Sequence, residues 1–314
     1  MGLRGFRGPC PQSLQPAGKD ASFSGIRAPG PECFDKTVRM VTSCGYRPVL
    51  PLRAASGEYR RGVFMSEKAF RGGGTKTGGA KTGDAAVIVA AGGSGSRMGG
   101  DRAKQYLRLG DAPLLVHALR RFEDCALVGK IVLVVPGKDI SSVTEEIVNG
   151  FGLGKVSSVV PGGAQRQDSV SNGLSLTEES DEIVLVHDGA RPFVPLSLIE
   201  AVIEAAMETG AACPGVPLRD TDKAVDGQGR VRETLDRSRI WAVQTPQGFR
   251  REVLLNAFRK AEGDGFHGTD ESSLVERTGH PVRIVPGAWE NMKITTREDL
   301  LLGEYILKRW GEIW

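Results

Sequence analysis

The chain has 314 residues, a quarter of them charged and 40% hydrophobic, with a formal net charge of +3, which leaves room for one large domain and an appendage or for two small domains. No apolar run approaches the eighteen residues of a membrane span. Residues 1–84 carry 14 basic and 6 acidic side chains while 85–314 carry 27 and 32, and so slightly acidic a body argues against a nucleic-acid partner, whose phosphates demand a basic face.

The first 84 residues are rich in Gly, Pro, Arg and Ser and end in the tract RGGGTKTGGAKTGD. They lack helical or strand periodicity, and such a composition buries too little apolar surface to offset chain entropy. Two readings stand: an organellar transit peptide, from the arginine excess, or a tail outside the working protein, with Met65 as an alternative start. The expected location is cytoplasmic, or plastid under the first reading. Five cysteines, Cys10, Cys33, Cys44, Cys125 and Cys213, include no C-x₂-C pair and are odd in number. Free thiols in a reducing compartment account for them.

The pattern changes at Ala85. The continuous apolar run 85–91 predicts a buried parallel strand. A Gly-rich loop follows, then a helix over about 113–122, with Pro113 suited to its first turn. Strands are predicted at 130–136, 156–161, 182–188 and 211–217, and helices at about 140–149, 165–176 and 196–208. This alternation predicts an α/β fold, Rossmann-like, with a mostly parallel sheet and helices on both faces. Between Leu218 and Thr245 the alternation lapses. Two polar arms around the turn Asp226-Gly227-Gln228-Gly229 predict a protruding hairpin over about 218–240. A helix at about 251–262, a short helix after Thr269, a strand at 280–286 and a helix at about 297–309 complete the domain, 85–314.

In open α/β sheets ligands bind at the carboxyl ends of strands, and the distinctive residues fall there. The loop Ala90-Ala91-Gly92-Gly93-Ser94-Gly95-Ser96-Arg97-Met98-Gly99 follows the first strand. Its glycines let backbone N–H groups approach phosphates, and Arg97 adds a bidentate cation. Lys104 lies just beyond. The loop fits neither a dinucleotide fingerprint, since Met98 stands where a third glycine is needed, nor a P-loop, which requires Gly-Lys-Ser/Thr. The fourth strand ends in His187-Asp188-Gly189-Ala190-Arg191-Pro192. There Asp188 can hold Mg²⁺ against a nucleotide phosphate or serve as a helix cap or turn residue, and His187 reads as a packed histidine. Gly162-Gly163-Ala164-Gln165-Arg166-Gln167-Asp168-Ser169 opens a helix after a strand and can offer donors to a base or ribose. Three further stretches carry polar residues: 235–247, Gly268-Thr269-Asp270-Glu271 and Asn291-Met292-Lys293-Ile294-Thr295. Each alone is equally a cap, a turn or a solvated face.

The ordered set AAG…GSRMG, KQYL, GG…RQDSV, HDGARP, RDT, DR…W…QTPQ, TDE and NMKITT resembles the 2-C-methyl-D-erythritol 4-phosphate cytidylyltransferase family of the non-mevalonate isoprenoid pathway, over essentially all of 85–314. The resemblance implies a nucleotidyltransferase fold in which Ala90, Ala91, Gly92, Gly95, Arg97 and Lys104 hold the CTP triphosphate. Gly163 and Ser169 would read cytosine and ribose, and Asp188 would take Mg²⁺. Arg191, Thr221, Arg237, Thr245 and Thr269 would bind the polyol phosphate, with Lys293 near the reacting phosphorus; Arg97, Lys104 and Lys293 are the implied catalytic cations. It also implies a homodimer in which the hairpin arm crosses to the second subunit. Rival readings are a ribitol-5-phosphate cytidylyltransferase, a sugar nucleotidyltransferase for another base and a non-catalytic nucleotide-binding protein. The spacing Leu235-Asp236-Arg237 to Trp241 before QTPQ favours the erythritol form. Four intact charges, Arg97, Lys104, Asp188 and Lys293, speak against a binding-only protein.

Overall fold

A computed structural model describes residues 83–93 and 104–313. The N-terminal segment up to Thr82, and the loop 94–103 with Gly95 and Arg97, lie outside the described residues.

Strand β1 (Ala85–Ala90) is followed by a small hairpin of β2 (Arg108–Leu109) and β3 (Ala112–Pro113), then α1 (Leu114–Glu123) and β4 (Val128–Val135). Helix α2 (Ile140–Ser142) continues as a π-helical stretch, Val143–Asn149. Then come β5 (Val156–Pro161), α3 (Arg166–Leu174), β6 (Ile183–Asp188), α4 (Leu196–Thr209) and β7 (Ala211–Pro217). The arm is β8 (Lys223–Val225) and β9 (Val231–Thr234), paired antiparallel. After it run β10 (Trp241–Val243), β11 (Gln247–Arg250), α5 (Arg251–Gly263), α6 (Glu271–Arg277), β12 (Arg283–Pro286) and α7 (Arg297–Ile313).

At the centre, β1 lies between β4 and β6, parallel to both, with Val87 opposite Ile131 on one side and Leu185 on the other. Every residue of β1 but Ala90 is buried, as an uninterrupted apolar run requires when helices cover both faces. The period of two then sorts the side chains. Val87 and Val89 pack with Leu115, Leu119 and Phe122 of α1 and Ile199 and Val202 of α4. Ile88 faces the other way, onto Val170 and Leu174 of α3 with Leu254 of α5 and Leu274 of α6. Each such aliphatic side chain, fully withdrawn from water, contributes about 1.5–3 kcal/mol.

The predicted elements are all present, with four differences, one being the unexpected edge strand β10, which pairs antiparallel with β7. The segment read as one helix at 140–149 is α-helical for a single turn only. The tiny hairpin β2–β3 was not expected. The larger difference is β11, which inserts antiparallel between β6 and β7 where only a connection into α5 was anticipated. Its four residues are too short and too polar to signal a strand. Gly248 is needed there, because a Cβ would come 2.8 Å from Val202 Cγ1 and 2.9 Å from Leu185 Cδ2.

Cys125 and Cys213 are buried free thiols. No helix among the described residues is long and apolar enough to cross a membrane.

Candidate active site

The carboxyl ends of β1, β5 and β6 open into one cavity of about 460 Å³. The sequence of each strand ends there in small residues, and these bring backbone rather than side chain to the rim. Ala90, Ala91, Gly92 and Gly93 form one wall. Gln105, almost fully buried, donates from Nε2 to the carbonyls of Ala91 at 2.6 Å and Gly93 at 3.2 Å. That clamp ties the start of the glycine loop to the turn carrying Lys104, whose ammonium reaches the Ile294 carbonyl at 3.3 Å.

The second wall is the entry to α3. Gly163 N donates to Ser169 Oγ at 3.0 Å, and that hydroxyl donates in turn to Gln165 O at 2.9 Å. Asp168 accepts from Gln165 N at 3.0 Å, closing a capping box. A Cβ on Gly163 would lie 2.3 Å from Asp168 Cβ, so this approach admits only glycine. Gln165, Arg166 and Ser169 face the cavity, and the N-terminal end of a helix there favours an anion.

Asp188 ends β6 on the cavity floor, among three cations. Lys293 Nζ is 2.9 Å from Oδ2, Arg191 Nε is 3.4 Å from the same oxygen, and Arg166 Nε is 3.6 Å from Oδ1. Burial by itself would push this carboxyl up, but Lys293, Arg166 and Arg191 outweigh it and hold it well below the usual carboxylate range. Arg166 Nη1 also contacts Glu271 Oε1 at 2.6 Å. Glu271 is buried, and its second oxygen has no partner among the described residues.

His187 faces away from the cavity. Fully buried, it packs edge-on to Phe122 with ring centroids 4.8 Å apart. Burial depresses it to about 4, so the imidazole is neutral near pH 7. It is the packed histidine that the sequence suggests.

The structure therefore brings together Ala90, Ala91, Gly92, Lys104, Gly163, Ser169, Asp188 and Lys293 around one space. It does not bring the whole expected set there. Thr221 and Arg237 are exposed on the arm and its root, and Thr269 is exposed just before α6. Arg191 is committed to Asp188 and to the Asn291 carbonyl, 2.8 Å from Nη1. Thr245 is buried, its hydroxyl occupied by Asp188 N and His187 Nδ1, both at 3.1 Å. Three residues that carried no assigned role are part of the site: Gln105, Arg166 and Glu271. Arg166 had a signal in the sequence, since it lies three positions before Ser169 on one helix face. Glu271 had none, because its partner is far along the chain.

The donor set suits one hard cation shared with phosphate. Asp188 is ionised and open to the cavity, and among the described residues no three His, Cys, Asp or Glu side chains gather into a metal cluster. Mg²⁺ is commonly held in this way, by one or two carboxylates, waters and substrate phosphates.

The family model for 2-C-methyl-D-erythritol 4-phosphate cytidylyltransferase matches residues 85–309. The chain is 49% identical over 223 residues to the enzyme of that name from Syntrophus aciditrophicus, covering 71% of this chain and 95% of the relative. It is 46% identical over 223 residues to that of Alkaliphilus metalliredigens, covering 71% and 92%. Among solved structures, 4-diphosphocytidyl-2C-methyl-D-erythritol synthase from Anaerococcus prevotii superposes with a TM-score of 0.63 at 30% identity, over 72% of this chain and 96% of that one. The 2-C-methyl-D-erythritol 4-phosphate cytidylyltransferase from Thermus thermophilus gives 0.58 at 33% identity, over 71% and 98%.

Proposed function

The chain belongs to the 2-C-methyl-D-erythritol 4-phosphate cytidylyltransferase family, and on that premise we propose how its own residues carry the reaction. The enzyme transfers CMP from CTP to 2-C-methyl-D-erythritol 4-phosphate, giving 4-diphosphocytidyl-2-C-methyl-D-erythritol and pyrophosphate, a step of non-mevalonate isoprenoid synthesis.

The observation that carries the assignment of roles is the ionised Asp188 on the floor of a cavity whose rim holds Lys104 and Lys293. CTP enters with its triphosphate along Ala90–Gly93 and the cation Lys104, with Arg97 assigned to the same phosphates by the family resemblance alone, and its nucleoside against Gly163 and Ser169. Asp188 would hold Mg²⁺, which when bound would offset negative charge on the phosphates. The acceptor phosphate lies on the Lys293 side. One of its oxygens forms a bond to the α-phosphorus as the bond from that phosphorus to the bridging oxygen of pyrophosphate breaks, and the electron pair leaves on pyrophosphate. A phosphate monoester is ionised near neutrality, so the protein supplies position and positive charge and no strong base. The site matches that demand, because among the described residues lining the cavity there is no histidine and the buried His187 points elsewhere.

Of the residues expected to bind the polyol phosphate, Arg191 and Thr245 lie beside Asp188 at the cavity floor while Thr221 and Arg237 are exposed on the arm and its root, and this separation supports a site completed by a second copy. Val225 and Val231 are each 58% exposed on the arm, and a two-stranded ribbon is marginal in water without a surface to cover it. Its root is fixed: Arg237 Nη1 donates to Arg219 O at 2.8 Å, and the Arg219 guanidinium lies 3.8 Å from the centre of the Trp289 ring. In a twofold dimer the exchange is reciprocal, and Thr221 and Arg237 serve the neighbour's acceptor. A cytoplasmic location completes the reading, in keeping with the free thiols of Cys125 and Cys213.

Mixing tests the sharing. Asp188→Ala and Arg237→Ala subunits, each nearly inactive alone, combine into dimers with one doubly defective site and one intact site. Activity then recovers toward about half of wild type per mixed dimer. If the arm serves its own subunit, every site keeps one defect and mixing restores nothing once subunit exchange is verified.

A further inference from the structure

Behind the cavity floor, three buried residues, His187, Thr245 and Asn291, and the half-buried Arg191 close a ring of hydrogen bonds across three separate segments. His187 Nε2 is 3.0 Å from Arg191 O. A carbonyl only accepts, so this nitrogen carries the hydrogen. His187 Nδ1 is then the acceptor for the Thr245 hydroxyl at 3.1 Å, leaving the Thr245 oxygen to accept from Asp188 N at 3.1 Å. The Thr245 carbonyl accepts from Asn291 Nδ2 at 2.8 Å. The Asn291 carbonyl accepts from Arg191 Nη1 at 2.8 Å, which returns the path to its start. The same Asn291 amide donates to Gln244 Oε1 at 3.2 Å.

Every direction in this circuit is forced by the chemistry of its members, and it has one solution. It ties the turn after β6, the junction of β10 with β11, and the loop that carries Lys293. His187 and Asn291 are both wholly buried and neither lines the cavity. What the ring holds in common is the separation of Asp188 from Lys293, the two side chains on which the roles above depend. Ile294 N donates to Ala190 O at 2.9 Å, so the backbone beside Lys293 is pinned to the same turn.

We propose that His187 and Asn291 are positioning residues for cytidylyl transfer: through the ring with Thr245 and Arg191 they set Lys293 over Asp188, and they touch neither substrate. This rests on the role given to Lys293. In the same arrangement Thr245 works mainly by holding Asp188 and His187, its hydroxyl being taken up on both sides. Pre-organised charge is worth most when it cannot relax, and displacement by about 1 Å costs about 10²-fold in rate.

The test is a double-mutant cycle with direct CTP binding alongside. His187→Phe keeps the ring shape and the Phe122 contact but removes both polar edges. It is expected to lower kcat about 10- to 100-fold while CTP binds within about threefold of wild type, because the CTP walls are built from other segments. In a Lys293→Ala background the same change is expected to add less than about threefold, since its effect passes through Lys293. His187→Gln, which carries a donor and an acceptor side by side, is expected to recover about tenfold of the lost rate. Asn291→Asp, which removes both amide donors, gives the same pattern from the opposite side of the ring and serves if His187→Phe does not fold. Wild-type kcat in the folded variants, a penalty undiminished in the Lys293→Ala background, or CTP binding lost in step with kcat would each overturn the proposal. Normal turnover in Lys293→Ala alone would instead overturn the role of Lys293, and the ring's purpose with it.

Discussion

The Lys293 ammonium lies 2.9 Å from Oδ2 of Asp188, joining the end of β6 to the loop that precedes α7. Asp188 thus stands ionised before any substrate arrives, and Lys293 is held at the point where the acceptor phosphate is proposed to approach. Both groups come from strand-end and loop positions rather than from the packed clusters. The site is therefore separable from the core that supports it.

Replacing Lys104 or Asp188 by Ala is expected to lower kcat/KM by at least about two orders of magnitude, the usual consequence of removing a charge-stabilising group. The melting transition should survive in both, and activity should vanish when Mg²⁺ is chelated. Near-normal turnover of either variant at saturating Mg²⁺ would remove that residue from the mechanism.

Gly163→Ala places a methyl 2.3 Å from Asp168 Cβ, against a residue that caps α3. Relief requires moving the first turn of that helix, and overpacking of this kind costs about 1–3 kcal/mol. We expect a lower melting temperature together with about tenfold weaker CTP binding, since Arg166 and Ser169 move with the turn. Unchanged stability and unchanged binding would mean that the α3 entry is softer than its packing indicates.

Acid should destabilise the fold through His187. Its folded value, about 4, lies below the ordinary 6.5, so the unfolded chain takes up a proton that the folded chain refuses. The contribution is fully present above pH 6.5 and declines as pH falls toward 4, by roughly 3 kcal/mol in all. Nuclear magnetic resonance of the labelled ring checks this directly. The imidazole should be neutral at pH 6 with hydrogen on Nε2, and a ring that titrates near 6.5 contradicts the assignment.

Much of this was legible in the sequence. The runs 85–91, 130–136 and 182–188 announce buried parallel strands, because a strand covered on both faces has no polar side to show. The residues at their carboxyl ends then identify the cavity. Asp188 and Lys293 could each be named, but their contact could not, since nothing local links β6 to the loop before α7. The short strand β11 stayed hidden for a similar reason. Its burial comes from neighbours on both sides, and Gln247 and Gly248 look like a turn when read alone. Glu271 reads as a first-turn acid of α6, and only the folded chain places Arg166 against it.

A chain beginning at Lys81 is expected to keep its melting temperature and turnover. The residues it omits lack a core-forming pattern and precede β1, and the family match begins at residue 85. Loss of folding or activity on this truncation would assign the N-terminal segment a part in the working enzyme.

The most direct measurement is acceptor-dependent release of pyrophosphate from CTP and Mg²⁺, compared among 2-C-methyl-D-erythritol 4-phosphate, ribitol 5-phosphate and no acceptor. The account predicts release in step with formation of the CDP-linked erythritol product, at a kcat/KM at least about tenfold above that for ribitol 5-phosphate, and none above background without acceptor. Preference for ribitol 5-phosphate, or release that ignores the acceptor, would contradict it.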